Sequence, residues 1–132
     1  MLRLEIVTPE KRVLDAEVDS VTVPTASGEA GILPNHAPLV SALKPGILSY
    51  STKGTAVDLA VSGGFVEVNN NKVAVLVDAA ETSLEIDVDA ARSQREAAEM
   101  SIAAGALTSD ELTAPGEMID HATARLRLAA RK

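Results

Sequence analysis

Valine and alanine divide this chain in two. Of its 14 valines, 13 precede Asp87, whereas 12 of its 22 alanines lie in the 46 residues from Asp87 to the end. Branching at Cβ suits the pleated, half-buried surface of a sheet, while alanine has the highest intrinsic helix propensity. The partition predicts sheet over residues 1–86 and helix over residues 87–132, two regimes joined near residue 86.

Apolar residues alternate through the first part: Leu2, Leu4 and Ile6; Val21 and Val23; Val57, Leu59 and Val61; Val66 and Val68; Val73, Val75 and Val77. A period of two turns each set toward one core. Turn formers separate the runs at Thr8-Pro9-Glu10, Ser27-Gly28-Glu29, Lys44-Pro45-Gly46, Lys53-Gly54 and Asn69-Asn70-Asn71. Asparagine tolerates the left-handed region, which marks the last as a hairpin tip. Short strands, frequent turns and no intervening helix predict a β-sandwich or closed barrel. Tyr50 and Phe65 are the only aromatic residues, so its core has to be aliphatic.

The second part opens on Asp87-Val88-Asp89, whose carboxylates suit the free amides and positive dipole end of a helix. A first helix is expected to run to about Gly105. Its packed stripe would be Ala91, Ala98 and Ile102 with Arg95 between, leaving Arg92, Glu96 and Glu99 off it. Thr108-Ser109-Asp110-Glu111 has capping-box spacing and starts a further helical turn. Inside a helix proline costs roughly 3 kcal/mol and glycine about 1, so the main second helix is expected from Pro115-Gly116 onward. Its stripe would be Met118, Ala122, Leu126 and Ala129. The outcome is an antiparallel hairpin with an alanine-rich seam. A buried alanine contributes about a third to a half of what a leucine does. A 46-residue appendage of this kind has to lean on the sandwich or on a partner, which predicts an arm with docked and released states.

Composition narrows the function. With 12 basic and 19 acidic residues the formal charge is −7, which repels phosphate backbones and anionic lipid surfaces and argues against nucleic-acid partners. Cysteine is absent, which removes disulfides and thiolate chemistry, and His36 and His121 do not make a zinc site by themselves, so no metal is expected. Nothing approaches the roughly eighteen consecutive apolar residues of a membrane span. Charges break the opening Met-Leu-Arg-Leu-Glu-Ile-Val, so neither membrane insertion nor export is expected. There is no P-loop, nucleophile elbow or His-x-x-x-His pair. Ser27-Gly28-Glu29-Ala30-Gly31 reads as a turn between strands. His36, in Pro34-Asn35-His36-Ala37-Pro38, reads as a loop histidine bonded to backbone, and Ser62-Gly63-Gly64 as a strand bulge. These residues describe a non-catalytic binding or regulatory module; a small hydrolase would have to work through His36 or Ser62.

The run Gly28-Glu29-Ala30-Gly31-Ile32-Leu33-Pro34-Asn35-His36-Ala37-Pro38-Leu39-Val40, followed by Leu43-Lys44-Pro45-Gly46, resembles the signature of the epsilon subunit of F-type ATP synthase. Val61-Ser62-Gly63-Gly64-Phe65-Val66-Glu67-Val68 and Ile6-Val7-Thr8-Pro9 fit it too, and the resemblance covers the whole chain. It implies a ten-stranded β-sandwich with a C-terminal helical hairpin. It also implies a non-catalytic rotor subunit that binds gamma and the c-ring on the cytoplasmic side of the inner membrane, coupling proton translocation to ATP synthesis. By position the resemblance puts Gly28, Glu29 and Gly31 at the c-ring contact, with His36 and Pro38 ordering that edge. Residues 1–86 would dock on the rotor. Residues 87–132 would regulate, folding against the sandwich or extending along gamma toward the alpha and beta subunits to oppose ATP hydrolysis. Arg125, Arg127, Arg131 and Lys132 would form a basic end meeting an acidic segment of beta.

Some members of that family bind ATP in the folded hairpin. The corresponding stretch is Val88-Asp89-Ala90-Ala91-Arg92-Ser93, with valine and serine replacing the motif's first and last residues, and Arg125 matches a second-helix arginine. His121 stands where another arginine is expected, and Glu99 where tight binders carry a further one. The resemblance thus implies Asp89, Arg92 and Arg125 as a weak regulatory ATP site and no resident cofactor. A free-standing ATP-sensing module built on these three residues is the alternative. Pro115-Gly116 opposes a long second helix by up to roughly 4 kcal/mol relative to two alanines, which is expected to favour the folded hairpin.

Overall fold

The alternating sets face one core, as period two requires. Leu2, Leu4, Ile6, Val66, Val73 and Val75 are fully buried, and Val57 packs at the margin. The computed structural model describes residues 1–105 and 113–130. Its strands are β1 (Leu2–Val7), β2 (Arg12–Val18), β3 (Ser20–Thr25), β4 (Gly28–Ile32), β5 (Leu39–Leu43), β6 (Gly46–Thr52), β7 (Thr55–Val61), β8 (Gly64–Asn69), β9 (Lys72–Val77) and β10 (Ala80–Thr82). Helices α1 (Val88–Ala103) and α2 (Thr113–Ala129) follow, so the change from strand to helix falls between Thr82 and Val88.

The strands form one ten-stranded sheet in the order β10-β7-β6-β3-β5-β8-β9-β1-β2, with β4 on β3. The sheet turns over at β3, where Ser20, Val21 and Thr22 pair with β6 and Thr25 meets Leu43 of β5. Its inner faces close on a single aliphatic cluster, the sandwich expected from sequence. Both asparagines of the tip between β8 and β9 are left-handed, Asn70 at φ 49° and Asn71 at φ 60°, the backbone a two-residue hairpin needs.

Two expectations for the glycine segments are corrected. The turn expected at Ser27-Gly28-Glu29 lies at Ala26 and Ser27, and Gly28, at φ 123°, already pairs with Thr25 at the start of β4. Ser62-Gly63-Gly64 is a close approach and a side-chain tie. The Ser62 hydroxyl accepts the amides of Asp78 and Ala79 at 3.0 and 2.9 Å. A Cβ on Gly64 would collide with the Leu76 carbonyl oxygen.

Asp87 caps α1 by accepting the Ala90 amide at 3.0 Å. Ala91 and Ala98 are buried as expected, but Ile102 is exposed. Gln94, not Arg95, lies half-buried between the two alanines, while Arg95 turns outward to Glu99 at 3.0 Å. α2 begins two residues before Pro115. Pro115 and Gly116 therefore occupy its first turn, where the amide that proline lacks has no helical acceptor. The expected α2 stripe is corrected too: Ala122, Ala124 and Leu128 are buried, Leu126 and Ala129 half-buried, and Met118 exposed. The reason is that α2 lies between the sheet and α1, so its packed positions spread over two faces. The capping box at Thr108-Ser109-Asp110-Glu111 lies outside the described residues.

Candidate functional site

The hairpin is seated on the outer face of β6 and β7. Along β7, Leu59 and Val61 point into the sandwich, whereas Ala60 between them packs with Ile86, Ala124 and Leu128. Ile47 and Ala129 border this second cluster. Coverage of both faces explains why the strand ends in the unbroken apolar run Leu59-Ala60-Val61 rather than alternating.

A polar chain fastens the same helix. Arg125 Nε lies 2.7 Å from Glu81 Oε1 as a charge contact, and its Nη2 donates to Glu81 Oε2 at 3.4 Å. Arg125 Nη1 donates to Gln94 Oε1 at 3.0 Å, and Gln94 Nε2 lies 3.3 Å from His121 Nδ1. Glu81 on β10, Gln94 on α1, and His121 and Arg125 on α2 thus link the three layers. The Arg125 side chain is only 13% exposed and that of Glu81 23%. Burial, and then the nearby Arg125 charge, hold the His121 imidazole below its usual pKa, with Glu81 pulling the other way. In the preceding turn Glu85 accepts the Thr82 amide and hydroxyl at 2.9 and 3.0 Å, bonds that lower its carboxyl pKa.

The residues singled out from sequence fall in three places. Gly28, Glu29 and Gly31 lie on β4, with Glu29 and Gly31 exposed. His36 follows in the next loop, its Nδ1 2.7 Å from the Ala37 carbonyl oxygen, the backbone-bonded loop histidine expected. That loop is tied to the β8–β9 tip, where the Asn35 amide donates to Asn71 Oδ1 at 2.6 Å. Asp89 and Arg92 are exposed and 3.9 Å apart on the first turns of α1. Arg125 is engaged with Glu81 and Gln94, so in this docked arrangement it is an internal anchor rather than part of an exposed basic end. Arg127 is exposed and, with Glu29, Lys44 and Thr123, lines a cleft of about 420 Å³ between α2 and the sandwich. Arg131 and Lys132 lie outside the described residues.

Sequence reasoning missed two features. Glu81 and Gln94 belong to the anchor; Gln94 lies three residues after Ala91 and four before Ala98, a spacing that Arg95 fits equally well. The second is an outward row across four neighbouring strands, Ala42–Phe65–Leu76–Val7, each residue in register with the next. Phe65 is 59% and Leu76 53% exposed. The signal was Phe65 itself, an aromatic out of phase with the buried Val66 and Val68.

Fold and site define a two-part protein, a sandwich with an apolar outer row and a helical hairpin seated on its outer face. Residues 1–83 match the family described as ATP synthase, Delta/Epsilon chain, beta-sandwich domain. The chain belongs to the ATP synthase epsilon-chain family. It is 53% identical over 97 residues to the epsilon chain of Desulforamulus reducens, covering 74% of each. It is 43% identical over 130 residues to that of Anaeromyxobacter dehalogenans, covering 98% of each. A chain of the Euglena gracilis mitochondrial ATP synthase, from its OSCP/F1/c-ring assembly, superposes with a TM-score of 0.78 at 25% identity, over 98% of this chain and 81% of that one. The protein is accordingly an accessory subunit of ATP synthase and not its catalytic one. No helix among the described residues is long and apolar enough to cross a membrane.

Proposed function

We propose that the sandwich docks the protein on the rotor of ATP synthase and that the hairpin restrains ATP hydrolysis. The observation that carries this reading is the outward row of Val7, Ala42, Phe65 and Leu76, an apolar surface on a sandwich whose core is already complete. Large exposed apolar side chains in one row suit a permanent partner surface, and gamma is the partner proposed for it. The exposed edge of β4, with Gly28, Glu29 and Gly31, and the His36 loop beyond it are proposed for the c-ring. That arrangement puts the protein at the cytoplasmic face of the membrane as a peripheral part of the complex, coupling proton translocation to ATP synthesis.

The hairpin's restraint on hydrolysis would act through the alpha and beta subunits after release, when Arg125 leaves Glu81 and Gln94 to join the exposed Arg127 in the basic end proposed with Arg131 and Lys132. A role for ATP is proposed only as a weak ligand of Asp89, Arg92 and Arg125. Arg125 would have to leave Glu81, whose carboxylate repels a triphosphate. The test has two arms. The chain should co-purify in fixed ratio with a gamma-type subunit, and Phe65→Asp with Leu76→Asp should abolish this while leaving the fold intact. Deleting residues 87–132 should raise the ATPase rate of the reconstituted complex. A stable solitary monomer with micromolar ATP affinity lost in Arg92→Ala would instead support the free-standing nucleotide sensor.

A further inference from the structure

We infer that the partner seated on the outward row presents apolar side chains bordered on both sides by basic ones, and that Glu67 and Asp78 are the carboxylates that receive them. This deepens the proposed docking of the row on gamma and rests on it. β8 and β9 run antiparallel, with Phe65 opposite Leu76. Glu67, two residues after Phe65, and Asp78, two residues after Leu76, therefore lie on opposite sides of the row, each about 7 Å from it along the chain. Glu67 is exposed on the outward face of β8, in register with Val40 on one neighbour and Ala74 on the other, neither of which carries a charge. Asp78 is exposed just past the end of β9, where its amide donates to the Ser62 hydroxyl at 3.0 Å. It lines two clefts that Phe65 also lines.

These two carboxylates differ from their neighbours in having no cation of their own. Elsewhere on the same face the charges are matched: Arg3 binds Asp15 at 2.6 Å, and Arg12 reaches Asp15 at 3.3 Å and Glu5 at 3.6 Å. Glu67 and Asp78 make no ion pair among the described residues, and Lys72, which borders Glu67 in a shallow cleft, does not close one. Glu117 of α2 adds a further carboxylate to the cleft that Asp78 lines. A partner pressed onto Phe65 and Leu76 takes water from both flanks, and a carboxylate that loses water without gaining a counter-ion opposes binding. The occupant that fits brings a cation to each side. A second copy of this chain does not, because its row carries the same acidic flanks and a twofold contact would set carboxylate against carboxylate. An anionic lipid surface is repelled for the same reason. The formal charge of −7 adds a long-range pull on a basic segment.

Titrating the full chain onto a complex of alpha, beta and gamma that lacks it tests this. Glu67→Gln should weaken binding about tenfold and Glu67→Lys about a hundredfold, as one charge-assisted contact is first removed and then opposed. Asp78→Asn and Asp78→Lys should follow the same order. Glu96→Lys, at an exposed position of α1, makes the same change in net charge and should bind as the parent chain does. Parent affinity should fall with added salt, and fall less steeply in Glu67→Gln with Asp78→Asn, a difference that a merely structural role would not produce. Unfolding temperatures should match the parent's throughout, since both side chains are exposed. Binding of Glu67→Lys and Asp78→Lys equal to that of Glu96→Lys would overturn the inference, and so would dimerisation of the chain alone through Phe65 and Leu76. If Phe65→Asp with Leu76→Asp abolishes binding while the charge variants bind as the parent does, docking on the row stands and this inference fails. If neither set changes binding, both fail.

Discussion

The core of the sandwich and the core beneath the hairpin use the same aliphatic chemistry in different amounts. Sixteen buried residues, all valine, leucine or isoleucine, fill the first. Ala60, Ile86, Ala124 and Leu128 make the second. At about 1.5–3 kcal/mol for a large aliphatic side chain and about 0.8 for a methyl group, two large and two small residues hold the hairpin loosely. α2 makes the contact with the sheet, and α1 rests mainly on α2. The difference predicts that opening the hairpin contact leaves the sandwich folded, the property the proposed regulatory arm requires.

Substitutions can break that comparison, the largest effect first. Gly64→Ala places a methyl group against the Leu76 carbonyl oxygen, which is backbone and cannot yield without parting β8 from β9. A loss of about 3 kcal/mol or more is expected in global thermal unfolding. Next, Leu4→Ala should cost roughly 3 kcal/mol of global stability, whereas Leu128→Ala should cost a similar amount of hairpin docking and leave the sandwich transition in place. Two transitions that shift together in both variants would contradict separability. A smaller effect is expected from Glu81→Gln, which leaves the mostly buried Arg125 without its counter-ion. About 1–2 kcal/mol of docking should be lost, read as faster amide exchange in α2. The smallest concerns Pro115→Ala with Gly116→Ala. Both residues lie in the first turn of α2, and no atom crowds Gly116, so the proline term largely disappears and about 1 kcal/mol of helix stabilisation remains, measurable by circular dichroism.

The sandwich was legible from sequence because a half-buried strand writes its geometry in period two. Leu2, Leu4 and Ile6 could bury together in hardly any other way. The hairpin was legible in outline, through its alanines and Asp87, and misread in detail. α2 has two neighbours, and so Met118, Ala122, Leu126 and Ala129 do not form one stripe. Gln94 and Arg95 are equally compatible with helical spacing, and only the partner on α2 selects Gln94. Glu81 and Arg125 are separated by 44 positions and meet by tertiary packing, for which no local pattern exists. The assignment of Gly28, Glu29 and Gly31 to the c-ring came from resemblance, since physical reasoning alone finds there an exposed edge strand.

Native-state hydrogen exchange tests the separability of the two regions most directly, because it reads both in one sample. Amides of α2 between Ala122 and Leu128 should exchange through a local opening several kcal/mol smaller than the global unfolding that exposes Val73 and Val75 in β9. Equal opening free energies for α2 and β9, falling together with added denaturant, would show that hairpin and sandwich are one cooperative unit and would contradict the account.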